Sequence, residues 1–213
     1  IKDFAPITMI SGSPYFLVVN ASSPAKDIPS LIQLARTYPG KLNFSAGLPG
    51  AGTHLMTVWF FEEANIKATY VPYKSAGTGL LDLAAGRLDG GFSGSGAMTL
   101  VRAGKLKILG STLPKRTALT KDIPTIAEQG VPDFVTINFR GFVTTAGTPP
   151  AIVDKAAGEF AKIAKRPEIL KAVNADGSEM FTSTPAEFRK FLVAEVARYA
   201  KLIKDNDIKG SAD

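Results

Sequence analysis

The chain has 213 residues, of which 45% are hydrophobic and 21% charged, the balance of a globular domain large enough to bury a core without covalent staples. Cysteine is absent, which excludes disulfides and thiolate chemistry and permits an oxidising compartment. The formal net charge of +6 is spread along the chain with no basic arm, so it reads as a solvated surface and not as a nucleic-acid footprint.

No apolar run approaches the ~20 residues that a membrane-spanning helix needs. The first residues, Ile1-Lys2-Asp3-Phe4-Ala5-Pro6, carry neither an initiator Met nor a signal peptide and read as the interior of a longer polypeptide. Ile7–Ile10 and Phe16–Val19 are predicted strands, with Ser11-Gly12-Ser13-Pro14 turning between them. Asp27 is a candidate N-cap for a helix that presents Leu31, Ile32, Leu34 and Ala35 and stops near Tyr38-Pro39-Gly40. Leu42–Ser45 is the next strand. After it comes a glycine-rich loop, 46–52, and a helix from about Thr53 to Ala64 that buries Leu55, Met56, Trp59 and Phe60.

The same unit recurs. A strand at 68–73 leads through Ser75-Ala76-Gly77-Thr78 into a helix with Leu80, Leu81, Leu83 and Ala84, closed by Gly86. A short strand at Gly90–Ser93, a helix over about 97–102 and a strand at Leu106–Gly110 follow. This alternation predicts a mainly parallel α/β sheet. Farther on, Ile123–Glu128 reads as a short helix ended by Gly130, and Phe134–Val143 as a long strand crossing between lobes. Thr148-Pro149-Pro150 opens the first of three helices, at about 150–164, 166–174 and 185–205. The last spaces Phe188, Phe191, Leu192, Val196, Tyr199 and Ile203 as core contacts.

Catalytic constellations are poorly represented. His54 is the only histidine, and with no cysteine it cannot build the usual zinc sites, which need about four ligands. A Ser45–His54 pair lacks the G-x-S-x-G elbow. Gly47-Leu48-Pro49-Gly50-Ala51-Gly52 is followed by Thr53-His54 where a phosphate loop requires lysine, and Leu55 stands where a dinucleotide fingerprint requires its third glycine. Metal, cofactor and catalytic residues are therefore all expected to be absent.

What remains is the physics beneath those motifs. Glycine loops let backbone N–H groups approach a ligand, and the helix that follows adds unsatisfied donors and a positive dipole end. Three stretches have this form: 45–53, 74–78 and Ser93-Gly94-Ser95-Gly96. They read either as a neutral cradle for a carboxylate or as tight strand-to-helix turns. Asp82, one helical turn beyond the second loop, reads equally as a polar group of the site or as a packing support.

At these loops the chain resembles the Bug family, also called TctC-like proteins, the periplasmic receptors of tripartite tricarboxylate transporters. The matching stretches are Lys2–Ile7, Tyr38–Phe44, Ser45-Ala46-Gly47 with His54-Leu55, Val71–Lys74 with Asp82-Leu83, Ala103–Leu106, Ile123–Gly130 and Gly147-Thr148-Pro149. They cover nearly the whole chain in the family's order. The resemblance implies a two-lobed α/β Venus-flytrap receptor of the type II periplasmic binding protein class, with a small carboxylate as ligand and membrane transporter subunits as partners. No nucleic-acid partner is implied. It carries ligand-binding roles onto Ser45, Gly47, Thr53 and His54 in the first loop and onto Ser75, Ala76 and Gly77 in the second. Asp82 would stand beside or behind the ligand, and Ser93 falls in the third loop, where family members often have an acidic residue. The second loop also departs, with Ser75 where glycine usually follows Lys74. Arg140 falls beside the place of a frequent tryptophan and reads as a surface or interlobe residue, or as a carboxylate partner if it faces the cleft.

The resemblance divides the chain into residues 1–115 as the second lobe, 116–140 as the interlobe crossover, and 141–213 as the helical part of a first lobe. Full-length members carry a long segment before the Asp-Phe-x-Pro-Ile stretch, and this segment supplies most of that lobe. The chain alone is thus expected to bind ligand weakly or not at all. The apolar faces of 150–205 are expected to pair with a second copy or with the preceding segment. The alternative is the effector-binding domain of a LysR-type regulator, which shares the architecture. A helix-turn-helix encoded upstream would mark that alternative, and a signal peptide the receptor.

Overall fold

A computed structural model describes residues 1–175 and 177–209. In chain order the elements are β1 (Phe4–Ser13), β2 (Phe16–Asn20), α1 (Ile28–Thr37), β3 (Asn43–Ala46), α2 (Gly52–Glu63), β4 (Thr69–Pro72), α3 (Ala76–Ala84), β5 (Gly90–Ser93), α4 (Met98–Arg102), β6 (Leu106–Ser111), β7 (Asn138–Thr145), α5 (Pro150–Ile163), α6 (Pro167–Ala175), β8 (Glu179–Met180) and α7 (Pro185–Asp205). Short 3₁₀ turns at Ser95–Ala97 and Ala127–Gln129 complete the set.

The chain divides into two units. Of the described residues, one holds 1–13 and those of 138–201, and the other holds 14–137 together with 202–209. These groupings differ from boundaries drawn along the sequence. Residues 1–13 leave the 1–115 block because β1 pairs antiparallel with β7 from Phe4↔Thr145 to Ser13↔Asn138. Residues 116–137, expected as a crossover, fold into the larger unit. Thr125 bridges to Ser111, and the Gln129 side-chain amide donates to Leu109 O at 2.9 Å.

The larger unit is built on a five-stranded sheet in the order β4-β3-β5-β2-β6. β3 runs parallel to β4 and β5, but β2 is antiparallel to both of its neighbours, β5 and β6. β4, β3, β5 and β6 therefore run in one direction, so the sheet is mainly parallel, as expected, with β2 as its antiparallel strand. Strand–helix alternation cannot reveal the direction of β2, which follows β1 without a helical crossover and so escapes the constraint that makes neighbours parallel. Leu17, Val18 and Val19 of β2 are fully buried, as befits a strand covered on both faces.

α1 begins where the sequence places it. The Asp27 carboxylate accepts from Ser30 N–H at 2.8 Å, and the Ser30 hydroxyl accepts from Asp27 N–H at 3.1 Å, a reciprocal cap. α2 buries His54, Leu55, Met56, Thr57, Trp59 and Phe60, residues on more than one face, as expected of a helix inside a core. Its rings Trp59 and Phe60, with Phe92 of β5, close around Phe134 at centroid distances of 4.7, 5.3 and 5.4 Å respectively. Phe134 was expected to open a long strand to Val143. That strand instead starts at Asn138, because Phe134 is drawn into the aromatic core.

The smaller unit is an antiparallel sheet, β7-β1-β8, with helices α5, α6 and most of α7. Phe139 meets Phe188 and Phe191 edge-on at 6.0 and 4.9 Å, so this part of the predicted α7 stripe packs as expected. Val196 and Ile203 do not, both being exposed, and Leu202 is buried instead. Arg140 donates to Ser178 Oγ at 2.9 Å within the same unit. Phe4, Phe142, Val143, Ile152 and Val193 are also exposed.

Phe134→Ala should cost about 3–5 kcal/mol in urea denaturation, because three aromatic neighbours lose their common partner. Val196→Ala, at an exposed helix position, should change stability by less than about 0.5 kcal/mol.

Candidate functional site

A cavity of about 280 Å³ opens in the larger unit at the ends of β3 and β4. It is lined by the loop after β3, the start of α2, the Tyr73-Lys74 turn, the first turns of α3 and Phe92 of β5. Its position outside the carboxyl ends of parallel strands is where α/β sheets place ligands.

The loop after β3 is held by its own helix. Gly47 N–H donates to Thr53 Oγ1 at 2.9 Å, and Gly50 N–H donates to His54 Nδ1 at 3.1 Å. Gly47 is required for this closure, since a Cβ there would lie 2.8 Å from both Ala51 Cβ and Thr53 Oγ1. No side chain caps α2 at Ala51 among the described residues. Thr53 and His54 are engaged with amides outside the helix, so the first-turn N–H groups of α2 remain available to an acceptor in the cavity. α3 is different, for its N-cap Ser75 accepts from Thr78 N–H at 3.3 Å.

The structure brings some of the sequence-predicted residues to the cavity and not others. Ser45, Gly47, Thr53 and Ala76 line it. Ser75 and Gly77 stand at the exposed start of α3, outside the lining. Asp82 lies behind the wall, where its Oδ2 accepts from the Tyr73 hydroxyl at 2.7 Å and its Oδ1 from Arg87 at 2.6 Å. Ser93 is buried in β5, paired with Phe16 of β2, while its neighbour Phe92 lines the cavity. Successive strand residues face opposite ways, so the choice between 92 and 93 decides the face. Tyr73, Lys74, Leu48, Gly79 and Leu80 also line the cavity without having been singled out. The strand-to-helix position of Tyr73-Lys74 was their available signal.

His54 is 1% exposed and serves as a structural prop. Its ring lies against Tyr70, with centroids 4.2 Å apart and the planes tilted by 58°. Nδ1 accepts from Gly50, which assigns the ring proton to Nε2, a buried atom that meets no hydrogen-bond partner among the described residues. A Ser45–His54 couple is therefore not formed. The Asp82 carboxyl is held low by the Tyr73 hydroxyl and then by the Arg87 guanidinium, and the same bond to Asp82 pushes the Tyr73 phenol up.

Among the described residues, no cluster of His, Cys, Asp and Glu could hold a metal, and no helix is long and apolar enough to cross a membrane. A second, wider hollow of about 580 Å³ lies between α1, the end of α2 and the Gly130 turn. None of the sequence-predicted site residues lines it.

This α/β architecture is that of the Venus-flytrap solute-binding proteins. The structure of a TctC solute-binding protein from Polaromonas matches 95% of the chain, and 70% of its own, with a TM-score of 0.85 at 23% identity. The model of the tripartite tricarboxylate transporter family receptor, TctC, matches residues 1–208, and the chain belongs to that family. R. palustris Rpa4515, solved with adipate, is 30% identical, with a TM-score of 0.79 over 97% of this chain and 70% of that one. A UPF0065 protein in the tcbD-tcbE intergenic region of Pseudomonas sp. strain P51 is 31% identical over 95% of this chain. The chain spans 61% of that relative's length.

Burial holds the His54 imidazole below its ordinary 6.5. Between the folded and unfolded values the unfolded chain binds more protons, so stability rises with pH in that window. It should be complete above about 6.5 and decline as pH falls below it, toward the lower folded value. Thermal melts between pH 5 and 7.5 should show this slope, and His54→Gln should flatten it while lowering the midpoint at pH 7.5.

Proposed function

We propose that the chain is the ligand-capturing part of a periplasmic receptor that binds a small carboxylate and delivers it to a tripartite tricarboxylate-type transporter. The observation that carries this reading is the uncapped N-terminus of α2 at a cavity lined by Thr53 and Lys74. Backbone donors, a hydroxyl and an ammonium group suit an anion with several acceptor oxygens. The remaining wall, from Leu48, Leu80, Phe92 and the Tyr73 ring, suits an apolar carbon chain. Rpa4515, the 30% identical relative solved with adipate, supports a linear dicarboxylate as the first ligand to test.

The reading is capture without turnover. The one imidazole is committed to Gly50, and Asp82 is committed to Tyr73 and Arg87. Neither is placed to take a proton from a ligand in the cavity.

Titration calorimetry and thermal shift with adipate and its neutral analogue adipamide test the proposal. Adipate at millimolar concentration should bind, if weakly, and raise the melting midpoint by mass action, and adipamide should do neither. Thr53→Val and Lys74→Gln should each weaken adipate by about tenfold or more, the value of a lost charge-assisted hydrogen bond. Equal response to adipamide and adipate would sink the reading.

A further inference from the structure

The polar groups around the cavity are unevenly directed. Tyr73 lines it, yet its hydroxyl is turned away and donates to Asp82 at 2.7 Å. Asp82 is in turn fixed twice by Arg87. The guanidinium donates to its carboxylate at 2.6 Å, and Arg87 N–H donates to its backbone carbonyl at 3.0 Å. Ser45 also lines the cavity, with its hydroxyl lying against Gly91, where a Cβ would overlap it. The space between these residues is narrow: a methyl group at Gly79 would stand 3.1 Å from Ser45 Cβ and 3.4 Å from the Tyr73 ring.

We infer that Tyr73 is a specificity-determining wall of the cavity, with Asp82 as its positioning residue, and that together they select an unsubstituted aliphatic carboxylate over a hydroxylated one. This rests on the carboxylate reading above. With its hydroxyl engaged by Asp82, Tyr73 offers a ligand only its ring. A hydroxyl on the ligand's chain loses water there and gains no partner, and such an unpaired polar group is costly. The charge-assisted bond to Asp82 is stronger than a neutral one, so the phenol does not turn inward to serve a ligand. Arg87 and Tyr73 also occupy the Asp82 carboxylate, so it is not left as a bare anion behind a wall that faces another anion.

Calorimetry with adipate and 3-hydroxyadipate tests this. The unmodified chain should prefer adipate by about tenfold or more. Asp82→Ala should free the phenol to meet the ligand hydroxyl and bring the two affinities together. Asp82→Asn, which keeps an acceptor for Tyr73, should restore the preference, and Tyr73→Phe should retain it. A purely structural role for Asp82 would weaken both ligands alike and leave their ratio unchanged. That result overturns the inference, as does equal affinity in the unmodified chain. If adipate binds without discrimination, only this inference falls. If no carboxylate binds, the functional reading falls with it.

Discussion

Two hydrogen bonds at the start of α2 hold the candidate site in shape. Gly47 N–H reaches Thr53 Oγ1, and Gly50 N–H reaches His54 Nδ1. Side chains of the first helical turn thereby satisfy donors of the loop that precedes them. In an ordinary cap the traffic runs the other way, with a loop side chain accepting from first-turn amides, as Asp27 does for α1. At α2 the reversal leaves the helix start without a side-chain cap, beside a cavity that Ala51 and Thr53 line.

The reversal depends on depth. His54 can accept from Gly50 at Nδ1 only as a neutral imidazole, and burial lowers its pKa and so favours that form. That burial follows from α2 being enclosed by the sheet and by the ring of Phe134. Residues 116–137 supply Phe134 and so serve as part of the core that carries the site. The same core places Phe92 in the cavity wall, in contact with Phe60 of α2 at 5.6 Å.

The opposite wall is arranged by a different device. The turn closing α3 returns Arg87 to Asp82, and Asp82 holds Tyr73. The cavity lining thus combines Thr53 and Lys74 at the loop ends with the rings and aliphatic carbon of Tyr73, Leu48, Leu80 and Phe92. A ligand with a charged end and an apolar body matches that combination, which is why the proposed function and the inferred selectivity concern the same small volume. The smaller unit, with its antiparallel sheet and exposed Phe4, Phe142 and Val143, belongs to the same family match over residues 1–208.

Local signals were legible in the sequence. The Asp27 cap, the glycine loop before α2, the helices from Pro150 and Pro185 and the family's ordered motifs all depend on neighbours a few residues apart, and the structure places them accordingly. The sequence by itself therefore determined most of the element order, though not β8, and also the family and the loop that carries the candidate site. Only the tertiary structure decided the direction of β2, the pairing of β1 with β7, the burial of Phe134 and the choice of Phe92 over Ser93 as a cavity residue. Each of these is a contact between distant segments or a choice of face, and local propensity does not encode either. The commitment of the Tyr73 hydroxyl to Asp82 has the same origin. Nine residues separate them, and a strand end, a turn and a helix had to fold before the two could meet.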